Sequence, residues 1–176
     1  AQSTALRMNP DVISVKKMKE LHGYAFPPMG CRAFLSVFKD ENNEPIFYGR
    51  GNLGVCSVNL PYAALESGGD LDKFWTLLGE KLELARQVCE LRYEKLRGVK
   101  ASIAPILWQH GAIARLNPDD DILKAIDERG FTVTIGYSGL YETVKYLTGK
   151  SHTTKEGFEL AEKIMRVMRD TLGNFK

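Results

Sequence analysis

The chain has 176 residues, 44% of them hydrophobic and 26% charged, with a formal charge of +2. This is an ordinary globular mixture, which excludes disorder, collagen-like repeats and a charge-driven nucleic-acid binder. No apolar run approaches the about 20 residues that span a bilayer, and the length suits a single domain with a real core.

Asn9 and Pro10 predict the cap and first position of a helix that carries Val12, Ile13, Val15, Met18 and Leu21 and stops at Gly23. Pro27 and Pro28 stiffen the next segment against helix. Residues Cys31 to Phe38 predict a strand, and Lys39 to Pro45 a polar turn. A second extended segment starts at Ile46, is broken by Gly49, Gly51 and Gly54, and resumes from Val55 to Leu60. Pro61 to Glu66 predicts a helical turn, broken by Gly68 and Gly69.

The strongest helix signal runs from Asp70, as N-cap, to Arg97. Phe74, Leu77, Leu78, Leu82, Ala85, Val88, Cys89 and Leu96 recur at helical spacing, and Gly98 is the stop. Ala101 to Leu107 is short and apolar, so strand and buried helix both fit. Asn117-Pro118 with Asp119, Asp120 and Asp121 starts a helix that ends before Gly130. Phe131 to Ile135 is a β-branched strand. The run Gly136 to Gly139 then turns into a helix over Leu140 to Leu147. Thr153 or Thr154 caps a last helix with Leu160, Ile164, Met165, Met168 and Leu172 inward. Alternating strands and helices predict an α/β fold with residues 1–176 as one unit.

His22, His110 and His152 lie in separate segments and make no local metal motif. The run Asp119 to Asp121 reads as helix-start charge before it reads as a cation site. Gly49-Arg50-Gly51-Asn52-Leu53-Gly54 has the spacing of a dinucleotide fingerprint, but it opens no long helix and no Walker lysine follows. Its glycines imply a close backbone approach or conformations that a Cβ forbids. Gly136 to Gly139 joins strand to helix, where anions can meet free N–H groups, although an unliganded turn is the commoner case.

The three cysteines are far apart, without a CxxC pair. They predict a reducing, cytoplasmic setting and no disulfide framework. Cys89 and Cys56 fall on core positions. Cys31 instead follows a stiff Pro27-Pro28-Met29-Gly30 approach and precedes Arg32, which marks it as the candidate reactive thiol.

Met29-Gly30-Cys31-Arg32, Gly49 to Val55 and Asn59-Leu60-Pro61 together resemble the class III anaerobic ribonucleoside-triphosphate reductases. Met8 to Asp11, Lys100 to Ile106 and Ile135 to Thr143 agree, so the likeness covers about Met8 to Leu147. It implies part of a ten-stranded α/β barrel of the glycyl-radical enzymes, whose finger loop lifts a cysteine into the barrel centre. By motif Cys31 matches that cysteine, whose thiyl radical abstracts the ribose 3′ hydrogen. Met29 matches the active-site methionine of the formate-using subgroup. Asn52 matches an asparagine that binds substrate and supports loss of the 2′ hydroxyl. The resemblance further implies ribonucleoside triphosphate as substrate and formate as co-substrate. It also implies a radical-SAM activating enzyme and a homodimer when full length, with neither nucleic acid nor membrane as partner.

The family's glycyl radical and four-cysteine zinc site have no counterpart motif here. The chain opens on Ala1, with its first Met at Met8. It is therefore expected to be an internal fragment of the catalytic barrel that binds none of these groups itself and is inactive alone. The alternative is a non-catalytic nucleotide- or partner-binding module that keeps part of the barrel. A pyruvate formate-lyase relative ranks lower, because that family carries adjacent cysteines where this chain has Cys31 and Arg32.

Overall fold

Ser14 starts the first helix, because its side chain accepts from the Lys17 N–H and satisfies one orphan donor of the first turn. In the computed structural model, which describes residues 13–26, 35 and 37–175, this helix is α1, Val15–His22, closed by Gly23 in the left-handed region. The expected cap at Asn9 lies outside the described residues, and Ile13 and Ser14 are not helical. The amphipathic pattern from Val12 therefore overextends the helix. Val15 and Leu21 are exposed, so they are not core positions.

Of the strand expected over Cys31 to Phe38, residues 31–34 and 36 lie outside the description. Phe38 belongs to the two-residue strand β1, Phe38–Lys39, which pairs antiparallel with β2, Pro45–Ile46. The turn between them forms because the Asp40 carboxylate accepts from the Asn42 and Glu44 N–H groups, a local substitute for ladder bonds. Asn43 sits there at φ 64°.

The frame of the fold is a parallel pair, β3 (Asn52–Asn59) and β4 (Thr132–Ser138). Parallel strands need a long crossover, and here it carries α2 (Leu60–Ser67), α3 (Leu71–Glu94), a 3₁₀ turn (Ala101–Ile103), α4 (Pro105–Trp108) and α5 (Ile122–Glu128). After β4 come α6 (Leu140–Thr148) and α7 (Lys155–Gly173). The α/β class expected from the pattern is what the chain adopts.

Asp70 caps α3 through a 2.9 Å bond from the Lys73 N–H. The helix ends at Glu94, one turn short of the expected Arg97. Ala101 to Leu107 turns out helical rather than extended, with Ile103 and Ile106 outward. Strand β4 continues through Gly136, Tyr137 and Ser138, where a turn was expected, because these residues pair with Ser57, Val58 and Asn59. Only Gly139 makes the turn into α6. Thr154, one of the two expected caps, starts α7.

Two apolar clusters hold these pieces. In the first, Phe74, Leu78 and Leu82 of α3 are fully buried against Leu60 and Ala64 of α2, Val144 of α6 and Ile164 of α7. Each such large side chain contributes roughly 1.5–3 kcal/mol on burial. The second joins Ala101, Trp108, Ile122 and Ile126, with Phe131 and Leu53 packed against it. Leu53 thus ties the start of β3 to α5. No described helix is long and apolar enough to cross a membrane.

Candidate functional site

Asn52 opens β3 at an irregularity in the ladder. Asn52 faces Thr132 and Val55 faces Thr134, so three steps on β3 oppose two on β4. This is a β-bulge, which bends a strand and re-aims a side chain. Gly54 lies within it at φ 148°, and a Cβ there would meet Arg92 Nη1 at 2.7 Å. Arg92, on α3, uses that nitrogen to donate to the Val55 carbonyl at 3.0 Å. The strand thus runs through Gly54 instead of breaking there, because glycine admits both the backbone angle and the guanidinium.

Both ends of the Asn52 carboxamide are engaged. Oδ1 accepts from the Gly54 N–H at 2.8 Å, and Nδ2 donates to Thr134 Oγ1. A carboxamide offers two N–H donors and two oxygen lone pairs. One of each is used among the described residues, which leaves one of each for a ligand.

Register defines the faces. Cys56, Val58 and Ile135 belong to the first cluster or pack against it. The alternate residues Val55, Ser57 and Asn59 are exposed, and they share their face with Thr134, Gly136 and Ser138. One sheet face is therefore apolar and covered by α3, while the other is rich in hydroxyl and amide groups. The Asn52 amide reaches that polar face through Thr134. Thr132, also on it, has a buried Oγ1 with no hydrogen-bond partner among the described residues.

Arg50 anchors the approach to Asn52. Its guanidinium donates to the carbonyls of Arg129 (3.0 Å) and Gly130 (2.8 Å) and lies 5.7 Å from the centre of the Phe38 ring. These carbonyls end α5, where a cation is favoured by the helix dipole. Burial pulls its pKa below the ordinary guanidinium value. Gly51 is required by packing, since a Cβ would lie 2.5 Å from the Phe131 ring. The close approach that the glycines imply is therefore met at Gly51 by the chain's own aromatic ring.

Cys31 and Met29 lie outside the described residues, so Asn52 alone of the three expected site residues can be placed. Cys89 is buried, and desolvation pushes its thiol pKa up, as suits a packing residue. His22, His110 and His152 are all exposed. Asp121 caps α5 and Asp119 pairs with Lys100, so the acidic run works as a helix start. Among the described residues no three His, Cys, Asp or Glu side chains converge as metal ligands. Sequence reasoning missed Thr134 and Arg92. Neither carries a local signal, because each meets the bulge through long-range pairing.

The sequence model of the anaerobic ribonucleoside-triphosphate reductase family matches residues 1–176. The anaerobic ribonucleoside-triphosphate reductase of Escherichia coli K12 is 46% identical over 147 residues, 83% of this chain and 21% of that protein. The enzyme of the same name from Enterobacteria phage T4 is 46% identical over 143 residues, 77% of this chain and 24% of that protein. That of Haemophilus influenzae Rd is 36% identical over 164 residues, 93% of this chain and 23% of that protein. The chain spans about a fifth to a quarter of the length of these relatives.

Proposed function

The chain belongs to the anaerobic ribonucleoside-triphosphate reductase family, and from that premise we propose that it forms part of the catalytic core of such an enzyme. The reaction is conversion of ribonucleoside triphosphates to deoxyribonucleoside triphosphates by radical chemistry. The observation that carries this reading is the family match along the whole chain, which takes in the finger-loop motif Met29 to Arg32 and the Gly49 to Val55 motif.

Cys31 is the thiyl residue: its sulfur takes the ribose 3′ hydrogen, so an S–H bond forms as the C3′–H bond breaks. Met29 lies beside it in the loop sequence and, with Asn52, favours the formate-using subgroup. Formate would supply the reducing electrons. Asn52 hydrogen-bonds the substrate and supports departure of the 2′ hydroxyl. The two-ended hold on its carboxamide supports that role, because fixed dipoles at a reacting centre need not reorganise during the reaction. The stored radical resides on a glycine outside this chain, installed by a radical-SAM activating enzyme. On this reading the family's zinc site, like the radical glycine, lies outside this chain.

On this reading β3 and β4, with α3 on one face, are neighbouring strands of the ten-stranded barrel, and the polar face looks into it. The working enzyme is a cytoplasmic homodimer. The test is Cys31→Ser in the full-length protein. Nucleotide reduction should fall below detection while nucleotide binding and thermal unfolding stay as in wild type. Turnover by that variant would remove the assignment.

A further inference from the structure

Building on the reading of Asn52 as a substrate-binding group, we propose that Thr134 is its positioning residue, the hydroxyl that fixes how the Asn52 carboxamide faces its ligand. A carboxamide is planar and nearly symmetric in shape, so a half-turn about its last bond exchanges donor for acceptor. A bond at one end sets the order, and a second bond at the other end raises the cost of the half-turn that would reverse it. The Gly54 N–H identifies the oxygen, at 2.8 Å. Thr134 Oγ1 identifies the nitrogen, because Nδ2 donates to it. Gly54 is only two residues from Asn52, so its bond is part of the local bulge. Thr134 is eighty-two residues away, on the neighbouring strand.

The bulge makes this bond possible. It sets Asn52 opposite Thr132 and Val55 opposite Thr134, so Asn52 reaches two residues along β4 to the next hydroxyl on its own face. Among the described residues, the bond that joins Thr134 to the candidate site is the one its hydroxyl accepts from Asn52. It acts through Asn52.

The test uses the full-length enzyme, assayed anaerobically, with kcat, KM and thermal midpoint measured for each variant. Thr134→Val keeps the shape and removes the acceptor. It should lower kcat roughly threefold to tenfold, the weight of one hydrogen bond, with a smaller change in KM and little change in midpoint. Thr134→Ser restores the hydroxyl and should restore kcat. If Thr134→Val does not fold, Thr134→Ala is read by the same criteria.

A Thr134→Val enzyme with wild-type kcat and a lowered midpoint would make the bond a staple of the bulge only and overturn the proposal. So would a Thr134→Ser enzyme as slow as Thr134→Val. Asn52→Ala separates the two levels. If that variant turns over like wild type, the Asn52 reading itself fails. If it is inactive while Thr134→Val is unaffected, only the positioning role fails.

Discussion

Two threonines on one face of β4 make opposite cases for a hydroxyl. Thr134 accepts from Asn52, whereas Thr132 Oγ1 is buried and holds no partner among the described residues. A buried polar atom without a partner carries its desolvation cost uncompensated, about 1–3 kcal/mol. Thr132→Val keeps the β-branched shape that a strand favours and removes that cost. The variant should therefore be more stable, by about 1 kcal/mol, as read from its urea midpoint at unchanged slope. A lowered midpoint would mean that the Thr132 hydroxyl is bonded after all. The same comparison shows why side chains of one type cannot be ranked from sequence: Thr132 and Thr134 differ only in what stands across the bulge.

At the scale of elements, the start of α5 is tied to the turn after α3 by the Ile122 N–H, which donates to the Val99 carbonyl at 3.0 Å, and by the Asp121 carboxylate. Asp121 Oδ1 accepts from the Leu123 N–H at 2.9 Å and caps the helix, and Oδ2 accepts from the Gly98 N–H at 2.8 Å. These bonds, the Leu123 one first, hold its pKa below the ordinary carboxylate value, and Arg97 adds to them. A carboxylate with a depressed folded-state pKa adds stability above its unfolded value and loses it as pH falls through the folded one. Asp121 should thus help hold α5 at neutral pH and release it in acid, below about pH 4, where an ordinary Asp begins to protonate. Amide exchange of Leu123 and Gly98, followed as pH falls and corrected for intrinsic rates, should show protection fading in that window. Asp121→Asn keeps a cap oxygen without the titration and should flatten the trend. An unchanged trend in that variant would assign the acid response to another group.

The same scale shows what a sequence can tell. The long helix α3 was legible because everything that sets it is local: the Asp70 cap, the helical spacing of Phe74, Leu78, Leu82 and Ala85, and the polar residues between. Asn52 was found by its motif, but the bulge around it was not, since that depends on Arg92 from one distant segment and on Phe131 and Thr134 from another. The turn expected over Gly136 to Gly139 was misread because three of its residues pair in register with Ser57 to Asn59. For Ala101 to Leu107, a short apolar run fits several structures, and its neighbours decided for helical turns.

For the whole molecule, the parallel pair raises the question of what completes it. Parallel sheets are generally covered on both faces and are wider than this. Here each strand of the pair has one partner among the described residues, and only one face is packed on α3. Val55 is 53% exposed on the open face, Val133 is 43% exposed on β4, and Leu84 and Leu91 are each 57% exposed on α3. Unpaired edges next to exposed apolar groups are a template for pairing with another chain. Since the relatives are some four to five times longer than the matched stretch, the rest of the polypeptide is the natural cover in the whole enzyme. The 176-residue chain alone should therefore self-associate. Sedimentation velocity over a wide concentration range should show a mass that rises with concentration, and Val55→Lys, which places a charge on the open face, should shift it toward monomer. A single monomeric species for the unsubstituted chain at every concentration would mean that the open face and edges are already covered within these 176 residues. The barrel reading of β3 and β4 would then lose its physical support, because strands that need no neighbours are poor candidates for the interior of a larger sheet.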